Sequence, residues 1–202
     1  MESLSKLFGS ASRVKIMRMF MFSAESALSI EEIANRLKLT KQSISRELNS
    51  LKAAGLIKKK KSAGISEKKS GRKTTHLKWI LDSKYYFLKP LEHLLIGTSL
   101  LNKREIIARF GKAGHLKLLV IAGVFIQDPD SRADLLIVGD RLKKIVIDRA
   151  VAKMEGEIGK ELRFAFFETS DFLYRHSISD KLIRDVLEYP HQRIFDRLGI
   201  RY

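Results

Sequence analysis

The sequence predicts an α+β chain, in which a basic N-terminal unit of short helices and a β-hairpin precedes a small α/β domain. Three observations point there. Residues 1–90 hold 20 Lys and Arg against 7 Asp and Glu, whereas residues 91–202 hold 19 against 16. Apolar residues recur at helical spacing up to Gly55 and then give way to short, lysine-rich stretches of strand character. Beyond Asn102, apolar runs of strand length alternate with amphipathic stretches, the pattern of a sheet covered by helices. The boundaries that follow are a first domain over 1–82, a helical connector over 83–101 and a second domain over 102–202.

The elements justify themselves in order. In 10–22, Val14, Ile16, Met17, Phe20 and Met21 form a broad apolar stripe, with Ser10 or Ser12 available as an N-cap. Ser29 and Glu32 have the spacing of a capping box, in which the serine hydroxyl accepts the third helical amide and the glutamate reaches back to the serine amide. Ile30, Ile33, Ala34 and Leu37 then line one face of a short helix. After a Lys38-Leu39 turn, with Leu39 directed to the core, Thr40 caps a second helix on which Ile44, Leu48 and Leu51 recur, and Gly55 ends it. LIKKK is a strand, SAGISEKKSGRK a polar loop and TTHLKWIL a returning strand. Two short helices joined by a tight turn, followed by a basic-tipped hairpin, outline a winged helix-turn-helix.

The connector, DSKYYFLKPLEHLLIGTSLL, holds a helix near Pro90–Ile96, since proline is tolerated in a first turn. Leu88, Leu91, Leu94, Leu95 and Leu101 make it more apolar than a free linker requires, so it packs against a domain or a second subunit. Further on come a helix in NKREIIARFGKAG, strands in HLKLLVIAGVF and ADLLIVG, a long helix in RLKKIVIDRAVAKMEGEIGKEL and a third strand in RFAFFE. Two more helical stretches finish the chain, divided near Ser179 and Pro190.

Bulk properties narrow the class of function. A chain of 202 residues with 45% hydrophobic and 31% charged side chains is of globular type. It has no apolar run long enough for a membrane span, no secretory signal pattern and no cysteine. A cytoplasmic location without membrane attachment is the expectation. The net charge is +16 and the isoelectric point about 10.1. Its concentration in the first 90 residues suggests a polyanion-binding module joined to a nearly neutral domain. His76, His93, His115, His176 and His191 show no metal-ligand spacing, no phosphate-cradling P-loop is present, and no cofactor is expected.

The segment SIEEIANRLKLTKQSISRELNSLKAAGLI resembles the winged-helix families of bacterial and archaeal repressors typified by the ArsR and MarR groups, a likeness that covers roughly 7–81. The resemblance implies that the second helix of the pair enters the major groove of duplex DNA while the wing touches backbone or minor groove. Transferred to this chain, Thr40, Lys41, Gln42, Ser43, Ser45, Arg46 and Asn49 meet the DNA from the helix. From the wing come Lys58, Lys59, Lys60, Lys61, Lys68, Lys69, Arg72 and Lys73. Arg, Gln and Asn suit base edges, whereas Lys and Ser suit phosphate. A homodimer on a two-fold symmetric DNA site is the expected assembly; the sequence names no effector.

The segment VIAGVFIQDPDSRADLLIVGD resembles the nucleotidyltransferase fold, and the likeness extends over nearly all of 102–202. In active members a Gly-Ser pair ends the first strand, two carboxylates spaced by two begin the next, and a third carboxylate lies on a later strand, together holding two magnesium ions. Here Gly123 precedes Val124, the carboxylate pair becomes Arg132 and Asp134, and Arg163 stands on the later strand. The expectation is a non-catalytic domain serving as a ligand sensor, protein contact or oligomerisation module, with Asp134 in an ion pair or a strand-end hydrogen bond. The alternative is a nucleotidyltransferase aimed at its substrate by the winged helix.

Overall fold

The computed structural model describes residues 2–63, 75–97, 102–128 and 130–200. The chain divides into two compact units, one of Met1–Thr98 with Glu155–Lys160 and the other of Ser99–Met154 with Glu161–Tyr202.

In the first unit, α1 (Glu2–Leu7) leads into α2 (Ala11–Phe22), capped by Ser10, whose hydroxyl accepts the Arg13 amide. Seven consecutive-turn residues of α2, including Val14, Met17 and Phe20, are buried, so this helix is enclosed on most sides and not merely laid on a surface. The reciprocal Ser29–Glu32 capping box starts α3 (Ile30–Leu37), with Glu32 accepting the Ser29 amide at 2.6 Å. Ile33 and Leu37 are buried and Leu39 is half-buried, while Lys38 takes the left-handed conformation at φ 53° that turns the chain. Thr40 caps α4 (Lys41–Ala53) by accepting the Ser43 amide, and Ile44, Leu48 and Leu51 enter the core.

Gly55, at φ 81°, then reverses the chain. Its amide bonds the Lys52 carbonyl and the Leu56 amide bonds that of Leu51, the paired closure of a Schellman motif, with Leu56 buried as its apolar plug. The hairpin of β1 (Ile57–Ala63) and β2 (Thr75–Leu81) pairs Ile57 with Leu81 and Lys59 with Trp79. Leu28 joins as a one-residue third strand, exchanging both backbone hydrogen bonds with Trp79. After the hairpin, α5 (Leu88–Glu92) runs into a π-helical turn at His93–Gly97. Leu95 and Ile96 are buried, and the buried Arg18 donates from Nε to the Leu95 carbonyl at 2.8 Å. The apolar connector therefore docks on α2 of its own chain. Burial lowers the Arg18 pKa, opposed by the Glu157 carboxylate.

The second unit begins with α6 (Lys103–Phe110), capped by Asn102. Its four-stranded sheet has the order β5-β4-β3-β6, made from β3 (His115–Ile121), β4 (Leu135–Asp140), β5 (Phe164–Glu168) and β6 (Gln192–Asp196). β3 runs antiparallel to β4 and β6, whereas β4 and β5 are parallel. The parallel crossover is supplied by α7 (Lys144–Ile158), which buries Ile147, Val151 and Met154 at helical spacing in this unit, its residues from Glu155 onward belonging to the first unit. Leu118, Val120, Leu136 and Val138 face α8 (Thr169–Ser177) and α9 (Lys181–Glu188), packing with Phe172, Ile183 and Val186. The alternate strand residues Leu119, Ile121, Leu135 and Ile137 are also buried. A sheet covered on both faces explains strands that read as unbroken apolar runs.

Two differences from the sequence expectation follow from local physics. The first strand ends at Ile121 and not at Phe125, because Gly123, at φ 51°, starts a 3-10 turn through Phe125. A Cβ on Gly123 would collide with the Asp134 carboxylate, so only glycine fits. The terminal stretch beyond Pro190 adds β6, a sheet-edge strand that the helical expectation omits.

Candidate nucleic-acid interface

Helix geometry sorts the residues of α4 without reference to function. Ile44, Glu47, Leu48 and Leu51 mark its buried side. At about 100° per residue, Gln42, Arg46 and Asn49 lie together on the opposite side, and all three are exposed. None of the three has a hydrogen-bond or ion-pair partner among the described residues. Ser43 and Ser45 lie on the flanks and are half-buried; Thr40 is exposed, with its hydroxyl oxygen already accepting the cap bond.

Two cations near this helix are engaged within the protein. Lys41 donates to Glu31 at 2.9 Å, which directs it toward α3. Arg13 binds Glu47 at 2.8 Å and also donates to the Phe8 carbonyl at 3.2 Å. The Glu47 side chain is only 9% exposed, so this pair fixes α4 to α2 and sets the angle at which the exposed face of α4 is presented.

In the hairpin, the lysines of β1 have different situations. Lys58 donates to Asp82 at 3.2 Å, and the Lys84 amide together with Lys58 holds the Asp82 carboxyl below its ordinary pKa. Lys59 lies 5.1 Å from the centre of the Trp79 ring, a cation–π contact. Lys60 stands directly across from Lys78, whose ammonium is 3.6 Å from Glu32. Lys60 has no partner among the described residues and is exposed. The side chain of Lys61 and the whole of Lys68, Lys69, Arg72 and Lys73 lie outside the described residues. Lys78 is absent from the sequence-derived set; only the register with Lys60 brings it to notice.

Residues 17–64 match the MarR family model. The matched segment holds the second half of α2, both helices of the helix-turn-helix and the first wing strand, and thus every described residue from Thr40 to Lys60 expected at the interface. The N-terminal part of the chain therefore has the winged helix-turn-helix arrangement, and over 17–64 its sequence is similar to the MarR family. No curated protein and no solved structure matches the chain. Among the described residues, no helix is long and apolar enough to cross a membrane, and no cluster of His, Asp or Glu is placed to hold a metal.

In the second unit, Asp134 is 0% exposed. One carboxylate oxygen accepts the Val124 amide at 2.8 Å, the other accepts the Arg163 amide at 2.8 Å, and the Arg163 Nε lies 3.6 Å away. Both oxygens are thus occupied by the backbone of the adjoining turn and strand. Arg132 pairs with Asp185 at 3.5 Å. Two magnesium ions do not fit this arrangement, since its one carboxylate is buried and bound by two backbone amides and the neighbouring positions carry guanidinium groups.

Proposed function

We propose that the chain is a DNA-binding transcriptional regulator that reads duplex DNA with α4 and grips the backbone with the wing. The observation that carries it is the partnerless stripe of Gln42, Arg46 and Asn49, on the helix that the MarR-type segment presents outward. Arg46 is assigned to guanine, and Gln42 and Asn49 to adenine, through two-point contacts in the major groove. Thr40, Ser43 and Ser45 at the helix start and flanks are assigned to phosphate, as are Lys59, Lys60 and the remaining wing cations. Lys41 and Lys58 reach phosphate by exchanging an exposed carboxylate partner, an inexpensive step because surface ion pairs contribute only about 0–1 kcal/mol.

The functional unit is a homodimer on a two-fold symmetric site, with half-sites about one helical turn apart. The second unit serves regulation or assembly and not catalysis, a reading supported by the structural engagement of the buried Asp134 with two backbone amides and by Arg132 and Arg163 near it. Its nucleotidyltransferase-like fold rests on the sequence resemblance alone. The test is selection of bound duplexes from a random pool at two salt concentrations. A short palindromic consensus is the expected result, and its half-site spacing gives the dimer geometry. Salt-sensitive binding without any consensus, or magnesium-dependent nucleotide transfer lost in Asp134→Ala, would overturn it.

A further inference from the structure

Where β4 and β5 begin, the second unit has an open basin of about 780 Å³, large enough for a small organic ligand. Four basic side chains, Arg132, Arg163, Lys181 and Arg184, contribute to its wall. The acidic groups that face them are largely committed. Asp185, with its side chain 13% exposed, is shared between Arg132 at 3.5 Å and Arg184 at 4.0 Å. Asp134 beneath the wall holds two backbone amides as well as Arg163. Asp128 accepts the Asp130 amide, which ties up one oxygen of a turn.

The cations keep capacity to spare. Each guanidinium has five N–H donors, and each of these three side chains is about half exposed or more, at 63%, 49% and 47% for Arg132, Arg163 and Arg184. Lys181 is exposed and has no partner among the described residues. Convergent guanidinium and ammonium donors in a concave polar site match the geometry of phosphate oxygens.

We propose that this basin binds the phosphate group of a small phosphorylated molecule directly through Arg132, Arg163, Lys181 and Arg184, with no divalent cation between. The remaining carboxylate oxygens of Asp128 and Asp130 are left to accept hydroxyl or amino donors from the rest of the ligand.

The test is equilibrium dialysis of the full chain with inorganic pyrophosphate and with a sugar phosphate, in one series with chelator in excess and in a parallel series with magnesium in excess. Saturable binding of one equivalent per chain is expected. Lys181→Ala and Arg132→Ala should each weaken it by about tenfold to a hundredfold, the loss of one charge-assisted contact, with an unchanged circular dichroism spectrum. Tighter binding of the sugar phosphate places an organic ligand there, and equal binding places phosphate alone; both support the site. Because the N-terminal unit is itself basic, Arg46→Ala serves as a control and should bind both probes as the parent does. Absence of saturable binding, dependence on added magnesium, or loss in Arg46→Ala with retention in Lys181→Ala would each overturn the proposal.

Discussion

Asp134→Ala tests whether this carboxylate is a structural part of the sheet end. The substitution removes the acceptors of the Val124 and Arg163 amides, both at 2.8 Å, and leaves Arg163 without its partner at a site of 0% exposure. Each hydrogen bond to a charged group contributes about 1.5–3 kcal/mol, and one buried amide left unpaired costs roughly 1–3 kcal/mol. Arg163 is half exposed and regains water, so its share is small. A loss of about 3–5 kcal/mol is expected, a large part of a domain stability of about 5–15 kcal/mol. With a urea dependence of about 2 kcal/mol per molar, the unfolding midpoint falls by on the order of 2 M. Far-UV circular dichroism in urea measures it, and hydrogen exchange at the β4 amides locates it. Asp134→Asn should recover part of the loss, because one oxygen remains while its amide group opposes a second donor. If Asp134→Ala kept the parental midpoint within a few tenths of a molar, the carboxylate would not be structural, and a chemical role for it would return.

Other outcomes follow from the same geometry. Arg46→Ala and Arg13→Ala should behave oppositely: the first weakens binding to the selected duplex by about 1–3 kcal/mol and leaves the melting temperature unchanged. Arg13→Ala instead strands the nearly buried Glu47 and lowers the melting temperature. Lys60→Ala should weaken all duplexes alike and reduce the slope of log affinity against log salt by about one, checked by fluorescence anisotropy across a salt series. Ser29→Ala removes the capping box and should cost about 1 kcal/mol of stability in urea. The same box gives a pH dependence, because the Ser29 amide and hydroxyl and Lys78 hold the Glu32 carboxyl below its ordinary 4.5. A depressed folded pKa means that its stabilisation is complete above pH 4.5 and lost as the pH falls through the lowered value. Acid titration of stability should show a shallower loss there in Glu32→Gln.

The sequence revealed what is local and hid what is distant. Ser29 with Glu32, Thr40 with Ser43, and Gly55 with Leu56 act within a few residues, so cap and turn chemistry could be read directly. Ile44, Leu48 and Leu51 announced the buried side of α4, and by subtraction its exposed side. Partners such as Glu31 for Lys41, Asp82 for Lys58 and Trp79 for Lys59 depend on tertiary register, so charges that look equivalent in the sequence are not equivalent in the fold. β6 was obscured for another reason: an edge strand with half-buried positions between exposed ends, and no buried one, carries a weak alternation. Burial on both faces likewise gave β3 no periodicity, so nothing but Gly123 could mark its end.

The Lys60–Lys78 pair makes the hairpin and its ligand want opposite solvents. The two lysines hold directly paired positions on neighbouring strands, with Glu32 offsetting only the charge of the second. Dissolved salt quiets their repulsion and firms the hairpin, yet the same salt loosens its hold on a phosphate chain. A phosphate between them quiets the repulsion as well, and does so where dilute salt does not. The free protein should therefore be most rigid in the brines in which it is least attached, and on DNA it should stiffen in the dilute buffers where, alone, it is loosest.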